Sequence, residues 1–205
     1  IHWGLLIVVY PYITGVVAGA FILASLVKVF NVKEVQPLYR LSLLTALAYL
    51  LVAPMALVSH LGHAERFYEI LLTPQTSSAM AMFGFVYAWY LMAVLLLEIW
   101  FVHRTDMIDM AERSAGATRL LYRALSLFSK DKGERAVAFD HKALKVITIG
   151  GIPSAVLLHG YVGFIFGSIK ANPWWSSVLM PIVFLFSAIV SGIAAVILLY
   201  MVITP

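Results

Sequence analysis

Two residues near the end of a long apolar run, His159 and Tyr161, have the side chains best suited to chemistry in this chain. The run covers residues 143–168 and closes on Ser168-Ile169-Lys170-Ala171-Asn172-Pro173-Trp174-Trp175. Imidazole and phenol donate and accept hydrogen bonds and can pass a proton on. A titratable group inside a membrane-length apolar run is costly, so it faces a partner, a cavity or a ligand. Tyr10 and Tyr12 flank Pro11 in the first such run, His60, His63 and Arg66 end or follow the second, and Glu98 lies in the third. The chain has no cysteine, which excludes disulfides and cysteine-ligated iron–sulfur clusters within it.

The elements that must position these groups are membrane spans. The chain is 62% hydrophobic and 12% charged, with a mean hydropathy of +0.95. The pattern predicts an all-α polytopic membrane protein of transmembrane four-helix-bundle type, forming one transmembrane domain over 1–205. Five spans are expected, at residues 5–30, 41–61, 78–103, 143–168 and 176–203. Each is long enough, at about 1.5 Å per residue, to cross a hydrocarbon core of about 30 Å. Helices follow because backbone polar groups in lipid must bond within the segment. A start at Ile1 and a stop just past a span suggest a portion of a longer protein, and the first span lacks the features of a cleavable signal peptide.

Two connections carry pattern. Residues 65–72 read as a short amphipathic helix in the interface. The link 104–142 is basic and amphipathic, with Leu120, Leu121, Ala124, Leu125 and Phe128 on one helical face against Arg119, Arg123 and Lys130. Lys28, Lys33 and Arg40 flank the first link, and nine further cations flank or follow the long one, so 12 of the 14 Lys and Arg fall on one side. The positive-inside rule makes that side cytoplasmic and puts 62–77 and 169–175 outside.

This topology brings Tyr10, Tyr12, His60, His63, Arg66, His159 and Tyr161 towards the outer face. Tyr12 lies about 10 Å and His159 about 14 Å from their helix ends at helical rise, so they can share a pocket if their helices are neighbours. A quinone suits such a place, because its ring and tail want an apolar slot and its oxygens want donors that exchange protons. Pro153 is expected to kink the fourth span before His159. Gly160, Gly163 and Gly167 would admit another helix or a flat ring. Other readings compete. His159 could bond a neighbouring helix, Tyr12 and Tyr161 could be packing or interface aromatics, and His60, His63 and Arg66 could be solvated loop residues. Glu98 could feed protons from the cytoplasm, or snorkel or pair with a base. Bis-histidine b haem would need two His at matched depth on different helices. His60 with His159 is mismatched by about two turns, and His141, the counterpart of His103, lies in a hydrophilic segment, so haem is disfavoured. A structural or transport role without redox chemistry is the third class.

The residues Thr14–Phe21, Leu61–Phe67, Ser78–Gly84, His159–Gly163 through Lys170–Trp175, and Pro181–Ser187 give the chain a family likeness along nearly its whole length. It resembles the NrfD/polysulfide-reductase membrane subunits, the quinone-interacting anchors of respiratory iron–sulfur and molybdenum-type complexes. The resemblance implies two similar four-helix bundles, of which the five spans cover part. It implies no haem or iron–sulfur cluster in this chain, no metal site, and menaquinone or ubiquinone bound near the outer face. By position, Tyr12, His159 and Tyr161 are the implied quinone contacts, with His159 and Tyr161 catalytic. His60, His63 and Arg66 stand around them, and His63 departs from the family's usual turn. From its place in the third span, and not from the resemblance, Glu98 is the candidate proton route. The implied partners are a periplasmic ferredoxin-like iron–sulfur subunit docking on Arg66, Lys170, Trp174 and Trp175, and further catalytic or cytochrome subunits. Lipid is the surrounding medium, nucleic acid has no part, and the location implied is a bacterial or archaeal cytoplasmic membrane.

Overall fold

A computed structural model of the chain describes residues 4–73, 75 and 77–204; the side chains of 70, 71 and 79–88 lie outside that description. The described residues are helical throughout the regular elements. These are α1 (Leu5–Lys28), a 3-10 helix (Lys33–Leu38), α2 (Tyr39–Val58), a 3-10 turn (Ala64–Arg66), α3 (Glu69–Leu72), α4 (Ala79–Arg113), α5 (Gly116–Leu125), α6 (Glu134–Gly167) and α7 (Met180–Ile203). Four segments among the described residues are long and apolar enough to cross a membrane, namely Leu5–Lys28, Lys33–Val58, Glu134–Gly167 and Met180–Ile203. The third expected span falls on α4, a single helix of 35 residues.

Helix ends differ from the apolar boundaries in a systematic way. Residues 104–113 continue α4 and 134–142 open α6, so the polar link is mostly helix extension. Once the ladder is started, each further residue adds a hydrogen bond, and charged residues are good helix formers in water. The expected helix over 65–72 is instead a 3-10 turn and a separate four-residue helix. Phe128 falls beyond the end of α5, and both it and Leu127 hold left-handed φ values of 57° and 52°. α6 remains one helix through Pro153.

α1 is the central helix, packed against α2, α6 and α7. Half of its most apolar window is buried, against 17% for α7. Small residues set these crossings. A Cβ on Gly192 would stand 2.5 Å from the Cα of Gly19, so α1 and α7 touch through backbone. A Cβ on Gly151 would collide with the Phe21 ring, and one on Gly163 would stand 2.6 Å from the Cα of Pro181.

The bundle has two unlike ends. At the basic end, Arg40 pairs with Asp106 at 2.9 Å, and Lys28 Nζ lies 3.1 Å from His141 Nδ1. The first and long links therefore meet, as the charge pattern requires. Arg104 is the clamp here. It is buried and donates from Nε to Asp140 Oδ2 at 2.8 Å, with Nη2 in ion-pair contact with the same oxygen at 2.6 Å. Its Nη1 donates to Ser129 Oγ at 3.2 Å and to the Asp131 carbonyl at 2.9 Å. Trp100 Nε1 donates to the Leu125 carbonyl at 2.8 Å, which fixes the end of α5. Lys132 bridges Asp109 and Glu112 at 2.7 and 2.8 Å, and its ammonium holds the Asp109 carboxyl below the usual carboxylate range. The opposite end carries residues 59–73 and 168–179.

Candidate functional site

At that opposite end, α1 and α6 present their polar groups to each other. Tyr10 Oη and Tyr161 Oη are 2.7 Å apart, a phenol–phenol hydrogen bond in which either can donate. Pro11 removes one backbone donor from α1, and the neighbouring turn is stabilised by Thr14 Oγ1, which donates to the carbonyls of Tyr10 and Pro11 at 3.1 Å each. The pair lines a small cavity whose other walls are Ile7, Pro11, Leu57, Val162, Ile165 and Phe166. Its volume of about 20 Å³ is room for a single water.

His159 stands apart from this cavity. Its ring is 4% exposed, tilted against Phe184 with centroids 5.7 Å apart. A Cβ on Gly15 would stand 3.0 Å from its Cε1, so the missing side chain of Gly15 makes room for the imidazole. Nδ1 has no hydrogen-bond partner among the described residues. A buried ring nitrogen left without a partner is uncommon and signals a donor or acceptor yet to be supplied.

The remaining sequence candidates separate into three groups. Tyr12 is 61% exposed, on a different side of α1 from Tyr10. His60, His63 and Arg66 are exposed beyond α2; His63 Nδ1 lies 3.0 Å from Glu65 Oε1 and Arg66 Nε 3.9 Å from Glu69 Oε1. Lys170 and Trp174 are exposed, whereas the Trp175 ring packs on Phe166 at 5.3 Å and so backs the cavity wall. Pro74 and Thr76 of the outer segment lie outside the described residues, as do the side chains of 79–84 in the third-span motif.

Glu98 is at the basic end of the bundle. It is fully buried, accepts a long 3.4 Å bond from Tyr39 Oη on Oε2, and has Thr148 and Lys28 beside it. Its Oε1 has no hydrogen-bond partner among the described residues.

Tyr10, and not the expected Tyr12, is thus the α1 tyrosine that meets Tyr161. The packing sets this phase, since Tyr10 is one turn from Thr14 and three turns from Phe21, which meets α6 at Gly151.

Segments long and apolar enough to cross a membrane, with a tyrosine pair at one end and a buried carboxyl towards the other, define a polytopic membrane protein. The description "Polysulphide reductase, NrfD" fits residues 1–205 in full, and the chain belongs to that family. A selenate reductase subunit of Mesobacillus selenatarsenatis is 38% identical over 97% of this chain and 47% of its own length. A putative dimethyl sulfoxide reductase membrane subunit of Halobacterium salinarum is 29% identical over 93% of this chain and 41% of its own. The Hdr-like menaquinol oxidoreductase integral membrane subunit of Archaeoglobus fulgidus is 21% identical over 94% and 40%. The chain spans less than half the length of these curated relatives.

Proposed function

We propose that this chain is the quinone-reactive part of a membrane subunit that exchanges electrons with an iron–sulfur partner in a respiratory redox complex. The observation that carries the reading is the Tyr10–Tyr161 hydroxyl pair, 2.7 Å apart against an apolar cavity between α1 and α6. Membership of the NrfD family supports it, as does a relative whose name contains menaquinol oxidoreductase.

The closed cavity is smaller than a quinone ring, so binding requires the tyrosines to part; the side-chain set otherwise suits such a ring. Bound there, a menaquinone or ubiquinone would supply paired electron and proton transfer. The protein's own groups would do the rest. Ile7, Leu57, Val162 and Ile165 would exclude water from the ring. Tyr161 would donate to one oxygen, its hydroxyl held in place by Tyr10 until the ring enters. His159, whose Nδ1 lacks a partner among the described residues, would become the second donor if α1 shifts at Gly15. Tyr12, His60, His63 and Arg66 would frame the entrance. Glu98 would hold a proton near the basic end, the cytoplasmic one by the charge rule.

Lys170, Trp174 and Trp175, with Arg66 and the 62–77 segment, would form the platform for a periplasmic ferredoxin-like subunit, with further catalytic or cytochrome subunits beyond it. Trp175 ties that platform to the cavity through Phe166. In the full-length protein with its partners, Tyr161→Phe should lower quinone-linked turnover by about 100-fold, the scale of a lost acid–base group. Assembly should be intact. Unchanged turnover would sink the assignment.

A further inference from the structure

The basic end contains a second site, made by the way α1 stops. Asn31 takes a left-handed φ of 55°, which Asn tolerates better than most residues. Val32 N–H then bonds back to the Leu26 carbonyl at 3.0 Å, a Schellman-type reversal. The turn sets Lys33 and Gln36, on the first 3-10 helix, across a cleft from His141 and Lys145 on α6. The cleft has a volume of about 340 Å³, and none of its lining residues is acidic.

Three lysines, Lys28, Lys33 and Lys145, line this space. His141 accepts from Lys28 at 3.1 Å and holds it at the wall. Lys33 and Lys145 make no ion pair among the described residues. Lys28 has the Glu98 carboxyl beside it, but Lys33 and Lys145 bring no counter-charge with them. Like charges repel one another, and an anion between them removes that repulsion. The Asn31 and Gln36 amides add uncharged donors. Next to Lys145 along α6, towards the bundle's middle, Val146 and Ile149 are exposed, so an apolar track leads away from the cationic cleft. Tyr10 is eighteen residues from Lys28 on α1, about 27 Å at helical rise, so the two sites are separate.

We propose that this cleft binds a phosphate ester, namely the phosphodiester headgroup of an anionic phospholipid, with an acyl chain lying along Val146 and Ile149. Basic pockets between membrane helices suit such headgroups. Lysines act on the phosphate as point charges from several directions.

The test is lipid retention by the full-length protein in mild detergent, read by native mass spectrometry. Delipidated protein is titrated with phosphatidylglycerol, with phosphatidylcholine, and with phosphatidylglycerol in excess inorganic phosphate. The wild type should hold phosphatidylglycerol in preference to phosphatidylcholine. Lys33→Gln with Lys145→Gln should weaken phosphatidylglycerol binding by about 10-fold or more and leave phosphatidylcholine binding unchanged. Arg119→Gln with Arg123→Gln, removing equal charge elsewhere, should leave both unchanged. Equal loss in the two double variants would reduce the effect to general surface charge and overturn the site. Retention in the Lys33/Lys145 variant would overturn it too. Displacement by inorganic phosphate would assign the cleft to a soluble phosphate and overturn the lipid.

Discussion

Tyr10 and Tyr161 are useful only as a pair. Each phenol is held by the other, so neither hydroxyl is an orphan in an apolar wall. Tyr10→Phe and Tyr161→Phe should therefore be strongly non-additive in quinone-linked turnover, the double variant losing little more than either single one. Additive losses, measured as kcat/KM in the assembled complex, would mean that the hydroxyls act separately. Glu98 makes a different prediction. Its carboxyl is buried and only weakly held by Tyr39, so Glu98→Gln keeps the shape and removes the proton. Turnover should fall while retention of quinone by the purified protein stays as in the wild type. Loss of both would make Glu98 a structural residue.

Elements are held by two devices, backbone contact in the membrane and one buried ion pair outside it. Gly19 and Gly192 let α1 and α7 meet backbone to backbone, so Gly192→Val should destabilise the fold by roughly 1–3 kcal/mol through overpacking. A lowered thermal midpoint in detergent is the readout. Arg104 serves α4, α6 and the loop between α5 and α6 at once. Arg104→Met leaves Asp140 buried without its partner and should cost about 3–5 kcal/mol, most of it recovered in Arg104→Met with Asp140→Leu. A double variant no more stable than the single one would contradict that reading. The sequence revealed these elements unevenly. Apolar length and charge placement mark the spans, because the bilayer imposes both. The rotation of α1 is hidden, since that helix is apolar on every side and has no polar face to fix its phase. That is why Tyr12, nearly opposite Tyr10 in phase, could not be told from it. His159 and Gly15 are visible as residues, but their contact depends on which helices are neighbours. The helical extensions at 104–113 and 134–142 were hidden for another reason, as hydropathy reports lipid and not helix.

At the scale of the molecule, chemistry is divided between two ends. The basic end gathers the first and long links through Arg40–Asp106 and Lys28–His141, with Glu98 buried just inside. The other end holds the tyrosine pair, with Trp175 packed on Phe166 of the cavity wall. Under the proposed function, this division would let the subunit take protons on one side and meet an electron-carrying partner on the other. The charge rule orients it, and single cysteines placed at Lys130 and Trp174 should be labelled by an impermeant reagent from opposite sides of the membrane. Labelling of both from the same side would undo the topology. The central claim is that a quinone binds between α1 and α6 at Tyr10 and Tyr161. Its most direct test is photolabelling of the full-length protein in membranes with an azido-quinone, followed by peptide mapping. Adducts should fall on residues 7–11 and 161–166, disappear with excess unlabelled quinone, and be lost in Tyr161→Phe. Quinone-competed adducts confined to other helices, or none at all, would contradict it.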